Sequence, residues 1–465
     1  MRFAGLCLAA AFLPAAAAAQ DVVEARVDSI FSTWDRAASP GCAVGVFRDG
    51  EIRFAKGYGM SNLEHDIPIT PSSIFHVASI SKQFAAMSIV LLVRDGRLSL
   101  DDDVRAHVPE LPDFGRPITI RHLLHHTSGL RDQWELLSLA GWRADDPKSE
   151  ADILSLLGRQ KELNFEPGAE YLYSNSGYTL LAVIVQRVSG QTLRDFADAR
   201  IFRPLGMTRT HFHDDHTMVV PGRTAAYAQR DGRWTISIPV FDNHGATSLF
   251  TTVQDLARWD ANFDRPVVGD AALIEQMQTR GRLNDGSTID YALALAHGEL
   301  RGLSTVGHSG SDAGYRADYF RVPDADLSFV TLCNTPANAG ELNRRVAAVF
   351  LGDRMGPPAQ PRGPAAATEG RTAARPAGPP DLGAFTGSWY SEELNTTWSI
   401  RQDAGALVLE HWRFPARTLD ADRGDTLRAA NWSLAFGRDA AGRVVSFRLS
   451  TGRVRNLLFT RVTNR

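Results

Sequence analysis

Ser79-Ile80-Ser81-Lys82 brings a hydroxyl and a primary amine within one helical turn, in a chain with 4 lysines against 46 arginines. A guanidinium stays protonated in a protein, whereas a desolvated ammonium can lose its proton near neutrality. Lys82 opens the apolar stretch Phe84–Val93, so its amine stands at the mouth of a buried helix, placed to accept the proton of Ser79. Two more polar groupings follow in chain order. Tyr173-Ser174-Asn175 comes just after the breaker Pro167-Gly168, and His308-Ser309-Gly310 is followed by Ser311. Each alone has a plain alternative: a turn beside a packed tyrosine, or a half-buried strand histidine.

Two other patterns carry competing chemistry. Gly307-His308-Ser309-Gly310-Ser311 nearly spells a nucleophile elbow, but the last glycine is missing and a strand, not a helix, follows. His211-Phe212-His213-Asp214-Asp215-His216 offers metal-ligand types without the helical i, i+4 spacing that would fix them, and reads as a solvated polar loop. No metal and no cofactor are implied.

The elements that must position these groups are legible in outline. Val23, Val27, Ile30, Phe31 and Trp34 predict an amphipathic helix over 21–37, and two strands flank Arg48-Asp49-Gly50. The Ser79–Val93 segment is apolar all round and belongs between layers. Helical patterns fill about 116–290, with Thr252-Val253-Gln254-Asp255 as a capping box. Strand signals return at 302–308, 314–322 and 327–333, and a helix closes at 340–350. Sheet segments at both ends with helices between predict one discontinuous α/β domain, an antiparallel-sheet sandwich with an all-α insertion. Residues 354–380 hold seven prolines and read as a linker. Residues 381–465 alternate in short runs and predict a lipocalin-like closed antiparallel β-barrel, filled by side chains and shaping the cleft.

Arg2, the apolar run Phe3–Leu13 and Ala17-Ala18-Ala19 read as a secretory signal over 1–19. No later run approaches the roughly 20 apolar residues that span a bilayer. The mature chain, with its discontinuous α/β unit at 20–353, is expected to be periplasmic or secreted, without an integral membrane segment. A net charge of −3, with 44% hydrophobic and 22% charged residues, excludes a nucleic-acid footprint. Cys42 and Cys333 lie in strand-like segments and are expected as buried free thiols, although an exported protein permits a disulfide.

The three motifs together resemble the serine β-lactamase and penicillin-binding-protein superfamily, in the class C-like branch that includes DD-peptidases, D-aminopeptidases and related esterases. Leu123–Leu130, Phe202–Met207 and Thr251–Ala257 match further habits of that family, and the resemblance covers about residues 25–353. It implies Ser79 as the nucleophile of an acyl-enzyme, with Lys82 and Tyr173 as the proton-transfer pair. The ammonium should lower the tyrosine from its ordinary pKa. Asn175 would orient Lys82 and the substrate amide, and the N–H groups of Ser79 and Ser311 would form the oxyanion hole beside Gly310. His308 stands where many β-lactamases of this branch carry lysine, and its imidazole is expected to titrate between pH 5 and 8. A peptide containing D-residues, or another small amide or ester, is therefore favoured as substrate over a β-lactam. A promiscuous esterase with weak β-lactamase activity and a penicillin-binding sensor without turnover remain the alternatives.

Overall fold

A computed structural model of the chain describes residues 13–357 and 382–463. Helix α1 spans Leu13–Phe31. It starts ahead of the expected cleavage site, because an alanine run has the highest helix propensity. It ends before Trp34, and the rest of the expected signal lies outside the described residues. The hairpin of β1 (Cys42–Arg48) and β2 (Glu51–Tyr58) follows, then α2 (Ser81–Arg94). The long insertion contains α3 (Gln133–Leu139), α4 (Asn175–Ser189) and α5 (Val253–Asp264). It is not wholly helical. Tyr227–Arg230 and Arg233–Ile236 form a hairpin, whose Asp231 and Gly232 have φ of 49° and 76°, the left-handed pair a two-residue turn needs. The sheet resumes with β3 (Ala296–Leu300), β4 (Leu303–Asp312), β5 (Tyr315–Val322) and β6 (Leu327–Cys333), and α6 (Ala339–Leu351) closes the unit.

The sheet order is β3-β4-β5-β6-β1-β2, with every neighbour antiparallel. Alternation along β1 sends its residues to two cores. Cys42, Val44 and Val46 pack with Val27 and Phe31 of α1 and Val346 of α6. Ala43 and Phe47 join the larger core with Val253 and Leu256 of α5. The two ends of the 20–353 unit thus build the sheet, and the insertion covers its other face. Among the described residues no helix is long and apolar enough to cross a membrane.

Cys42 and Cys333 are joined by a disulfide, against the expectation of free thiols. They are register partners on β1 and β6, with Cα atoms 4.0 Å apart. Cross-strand register brings them together over a sequence separation of 291 residues.

Strands β7 (Gly387–Ser391), β8 (Thr396–Asp403), β9 (Ala406–His411), β10 (Phe414–Ala421), β11 (Thr426–Ala429), β12 (Trp432–Arg438), β13 (Val444–Thr451) and β14 (Val454–Arg461) close into an antiparallel barrel. Trp389, Trp398, Phe447 and Phe459 are fully buried in it, so its interior is a packed core. Most of the expected linker lies outside the described residues. The barrel itself is docked on the insertion. Arg131 Nη1 donates to Glu393 Oε2 at 2.5 Å with both side chains buried, and Trp398 Nε1 donates to the Leu139 carbonyl at 3.2 Å.

Candidate active site

Ser79 lies in a 3-10 turn, Ala78–Ile80, that runs into α2. Ala78 holds a φ of 47°, a left-handed conformation that costs a residue with a Cβ of the order of 1 kcal/mol or more. Ser81 holds the turn by donating to the Ala78 carbonyl and accepting from Leu249 N at 2.9 Å. Ser79 is thereby left partly exposed while Lys82, one turn on, is fully buried. Strand β4 passes beside this turn. A Cβ on Gly310 would sit 2.2 Å from the Val77 carbonyl oxygen and 3.1 Å from Ser79 N, so only glycine lets the strand approach.

Lys82 Nζ donates to Ser79 Oγ at 3.1 Å, Asn175 Oδ1 at 2.9 Å and the Ala246 carbonyl at 2.6 Å. Three donors meet three acceptors, which fixes the amine. Burial still drives its pKa down to about 7, opposed by Asp132 and assisted by Arg453. At neutral pH a large fraction of Lys82 is thus a free base within reach of the Ser79 proton.

Tyr173 precedes α4, and its ring centroid is 4.9 Å from Lys82 Nζ. The expected lowering of its pKa does not hold. Burial raises it well above the ordinary value, and the nearby Ser79 hydroxyl opposes this only in part. No well-formed hydrogen bond reaches its buried oxygen. Tyr173 therefore stays a neutral hydroxyl, able to hand a proton on but not to act as the resting base.

His308 also departs from expectation. Burial, followed by the Lys82 charge, pushes its pKa down to about 4, so it is neutral across pH 5–8. Its Nε2 pairs with the Tyr291 hydroxyl at 2.9 Å and its Nδ1 with the Ser309 carbonyl at 2.6 Å. Tyr291 also meets His126 Nε2 at 3.2 Å, and His126 Nδ1 accepts from Ser174 N at 3.1 Å. A His126–Tyr291–His308 chain thus backs Tyr173. Ser309 is exposed on β4, and the chain turns from β4 into β5, as in no nucleophile elbow. Arg316 lines the cavity, with Nη1 donating to the carbonyls of Ala313 and Tyr315.

Sequence reasoning missed Asp132. This fully buried carboxylate accepts from Trp134 N at the start of α3 and, through Oδ2, from Asn175 N at 2.8 Å and Asn175 Nδ2 at 2.7 Å. It favours both helix N-termini and turns Asn175 Oδ1 toward Lys82. It also missed Arg453, on the β13–β14 turn, whose Nη1 is 3.3 Å from Asp132 Oδ2. His126 stood inside a noted segment without a role; Asp132 and Arg453 carried no signal.

The cavity over Ser79 measures about 1260 Å³. Ser79, Tyr173, Asn175, His308, Gly310, Ser311 and Arg453 border it, and Trp134, Trp142, Ile238 and Phe241 form an apolar wall. In the metal-type loop, oxygens and nitrogens of Asp215, His216 and Asp242 lie within 4.8 Å of one another. Asp215 accepts from Thr217 N and Oγ1 in a local turn, and Asp242 pairs with His216 N and Nδ1 across the loops, so hydrogen bonding accounts for the grouping.

Residues 19–353 match the Beta-lactamase family. The chain is 29% identical over 337 residues to a D-aminopeptidase of Gluconobacter oxydans, covering 71% of this chain and 63% of that protein. It thus spans slightly less than two thirds of that relative's length. A D-aminopeptidase of Cereibacter sphaeroides is 28% identical over 402 residues, covering 85% of this chain and 72% of the relative. The octameric penicillin-binding protein homologue from Pyrococcus abyssi shares the fold, with a TM-score of 0.62 at 21% identity over 96% of this chain and 100% of its own. With a match over most of its length, the chain belongs to the Beta-lactamase family.

Proposed function

We propose that the protein is an exported amidase-type serine hydrolase that acts through a Ser79 acyl-enzyme on amide bonds next to D-amino-acid residues. One observation carries the chemistry: a fully buried lysine amine, with a pKa of about 7, lies 3.1 Å from the Ser79 hydroxyl. As Ser79 Oγ attacks the carbonyl carbon, Lys82 Nζ takes its proton. The oxyanion faces the N–H groups of Ser79 and Ser311. Collapse breaks the C–N bond; the departing amine takes the Tyr173 proton, which the Lys82 ammonium replaces. Water then repeats the sequence on the acyl-enzyme and releases the acid. The D-residue preference draws on the D-aminopeptidase relatives. Export draws on the Cys42–Cys333 disulfide, which persists in an oxidising compartment.

The test is turnover of D- and L-amino-acid p-nitroanilides, with Ser79→Ala as control and mass spectrometry to locate the acyl group. Faster hydrolysis of the D series and an adduct on the Ser79 peptide are expected. Equal or better L turnover refutes the D-residue preference, and an adduct on Ser309 refutes the mechanism. The apolar wall of Trp134, Trp142 and Phe241 favours a second reading, a broad esterase for bulky acyl groups. Esters turned over with no amide cleavage would select it.

A further inference from the structure

The β13–β14 turn, Gly452-Arg453, is fixed to the hydrolase unit by its main chain. Arg453 N donates to Glu135 Oε2 at 2.7 Å, and its carbonyl accepts from Asn164 Nδ2 at 2.9 Å and from Asp132 N at 3.3 Å. Two residues on, Arg455 N donates to Asn164 Oδ1 at 2.7 Å. A Cβ on Gly452 would lie 2.5 Å from Glu135 Oε1, so the turn sits flush on the start of α3. Nearby, Arg131 donates to the carbonyls of Arg455 and Asn456 and to Glu393. The loop carrying Asp132 is thus held from the barrel side.

From this seat the Arg453 side chain enters the catalytic cavity. Its guanidinium is 3.3 Å from Asp132 Oδ2 and from Glu135 Oε1, and 5.8 Å from the Tyr173 ring centroid. Asp132 holds Asn175, and Asn175 holds Lys82. We infer that Arg453 is a positioning residue for acyl transfer: through Asp132 and Asn175 the C-terminal barrel sets the placement and charge of Lys82, so the barrel completes the active site of its own chain. The inference rests on the Ser79–Lys82 acylation mechanism, not on the choice of D-residue substrates.

The direction of the effect follows from the charges around Lys82. Asp132 and Asp312 favour its ammonium form, and Arg453 disfavours it. The remaining titratable groups facing it are neutral near pH 7: Tyr173 and Tyr178, whose rings it overlies, and His126 and His308. Removing the guanidinium takes away a repelling cation and leaves Asp132 less screened, and both changes raise the Lys82 pKa.

The experiment uses the full chain and p-nitrophenyl acetate, a substrate with no charged group for Arg453 to bind. Acylation kcat/KM is measured from pH 5 to 9 for wild type, Arg453→Met, Arg453→Gln and Arg453→Lys. The main-chain bonds of the turn survive all three, and melting curves check the fold. In Arg453→Met and Arg453→Gln the acid limb should rise by about half a pH unit or more. The rate at pH 7 should fall about twofold or more, in step with that shift, and Arg453→Lys should return the limb close to wild type. An unmoved limb in Arg453→Met overturns the inference, whether the rate is unchanged or reduced equally at every pH. So does a loss seen only with a carboxylate-bearing p-nitrophenyl ester run in parallel, since Arg453 would then be a substrate contact. Failure of the D-residue preference leaves this result untouched, whereas full esterase activity in Ser79→Ala would remove the mechanism beneath both.

Discussion

Lys82→Met should make protein stability depend on pH in a way that reports the charge of one buried amine. In the folded chain Lys82 titrates at about 7; in the unfolded chain it titrates at its ordinary 10.5. Between these values the unfolded state binds a proton that the folded state does not, so wild-type stability rises with pH through that window. Each pH unit in the window is worth about 1.36 kcal/mol, so the lysine costs the fold about 4 kcal/mol at pH 7 and about 1 kcal/mol at pH 10. Methionine removes that cost but leaves the acceptors Asn175 Oδ1 and Ala246 O without Nζ, at about 1–3 kcal/mol each. The absolute change at pH 7 is therefore small. The difference between the proteins is larger and cleaner, because every other titrating group cancels. Reversible urea unfolding at pH 7, 8, 9 and 10 should show the variant losing about 3 kcal/mol relative to wild type across the series. A difference flat to within about 1 kcal/mol would mean that Lys82 keeps an ordinary pKa. Lys82 would then be charged at neutrality and could not be the base.

Lys82→Arg should be nearly as inactive as Lys82→Ala, below about a tenth of wild-type turnover, because the charge survives but the proton acceptor does not; steady-state rates at matched circular dichroism check this. The acid limb of the wild-type pH–rate profile should lie near 7 and follow Lys82. His308 should show no imidazole titration between pH 5 and 8 by NMR, since burial holds it neutral until about 4. Arg131→Ala leaves Glu393 buried without its cation and should destabilise the chain by about 3–5 kcal/mol. Arg131→Met with Glu393→Leu should recover most of that loss in thermal melts.

The serine, lysine, tyrosine, asparagine and histidine of the site were legible because each sits in a short local pattern: one helical turn in Ser79–Lys82, one helix start in Tyr173–Asn175, one strand in His308–Ser311. An unbroken apolar run likewise sufficed for α2, and strand patterning for five of the six sheet strands, all but β3, and for the eight-stranded barrel. Local chemistry also made lysine, rather than arginine, the residue to follow at position 82. Register and docking were not local. The Cys42–Cys333 bond depends on which residues of β1 and β6 face each other, and neither strand carries that information alone. Burial overturned the expectations for Tyr173 and His308: desolvation raises the tyrosine against the nearby Ser79 hydroxyl and Arg453, and for the histidine it acts in the same direction as the Lys82 charge. Asp132 looks like an ordinary helix cap in the sequence, and Arg453 like an ordinary turn arginine. Only packing of the barrel on the insertion sets them 3.3 Å apart behind Lys82, since two positions separated by most of the chain share no periodicity and meet only where their two surfaces meet.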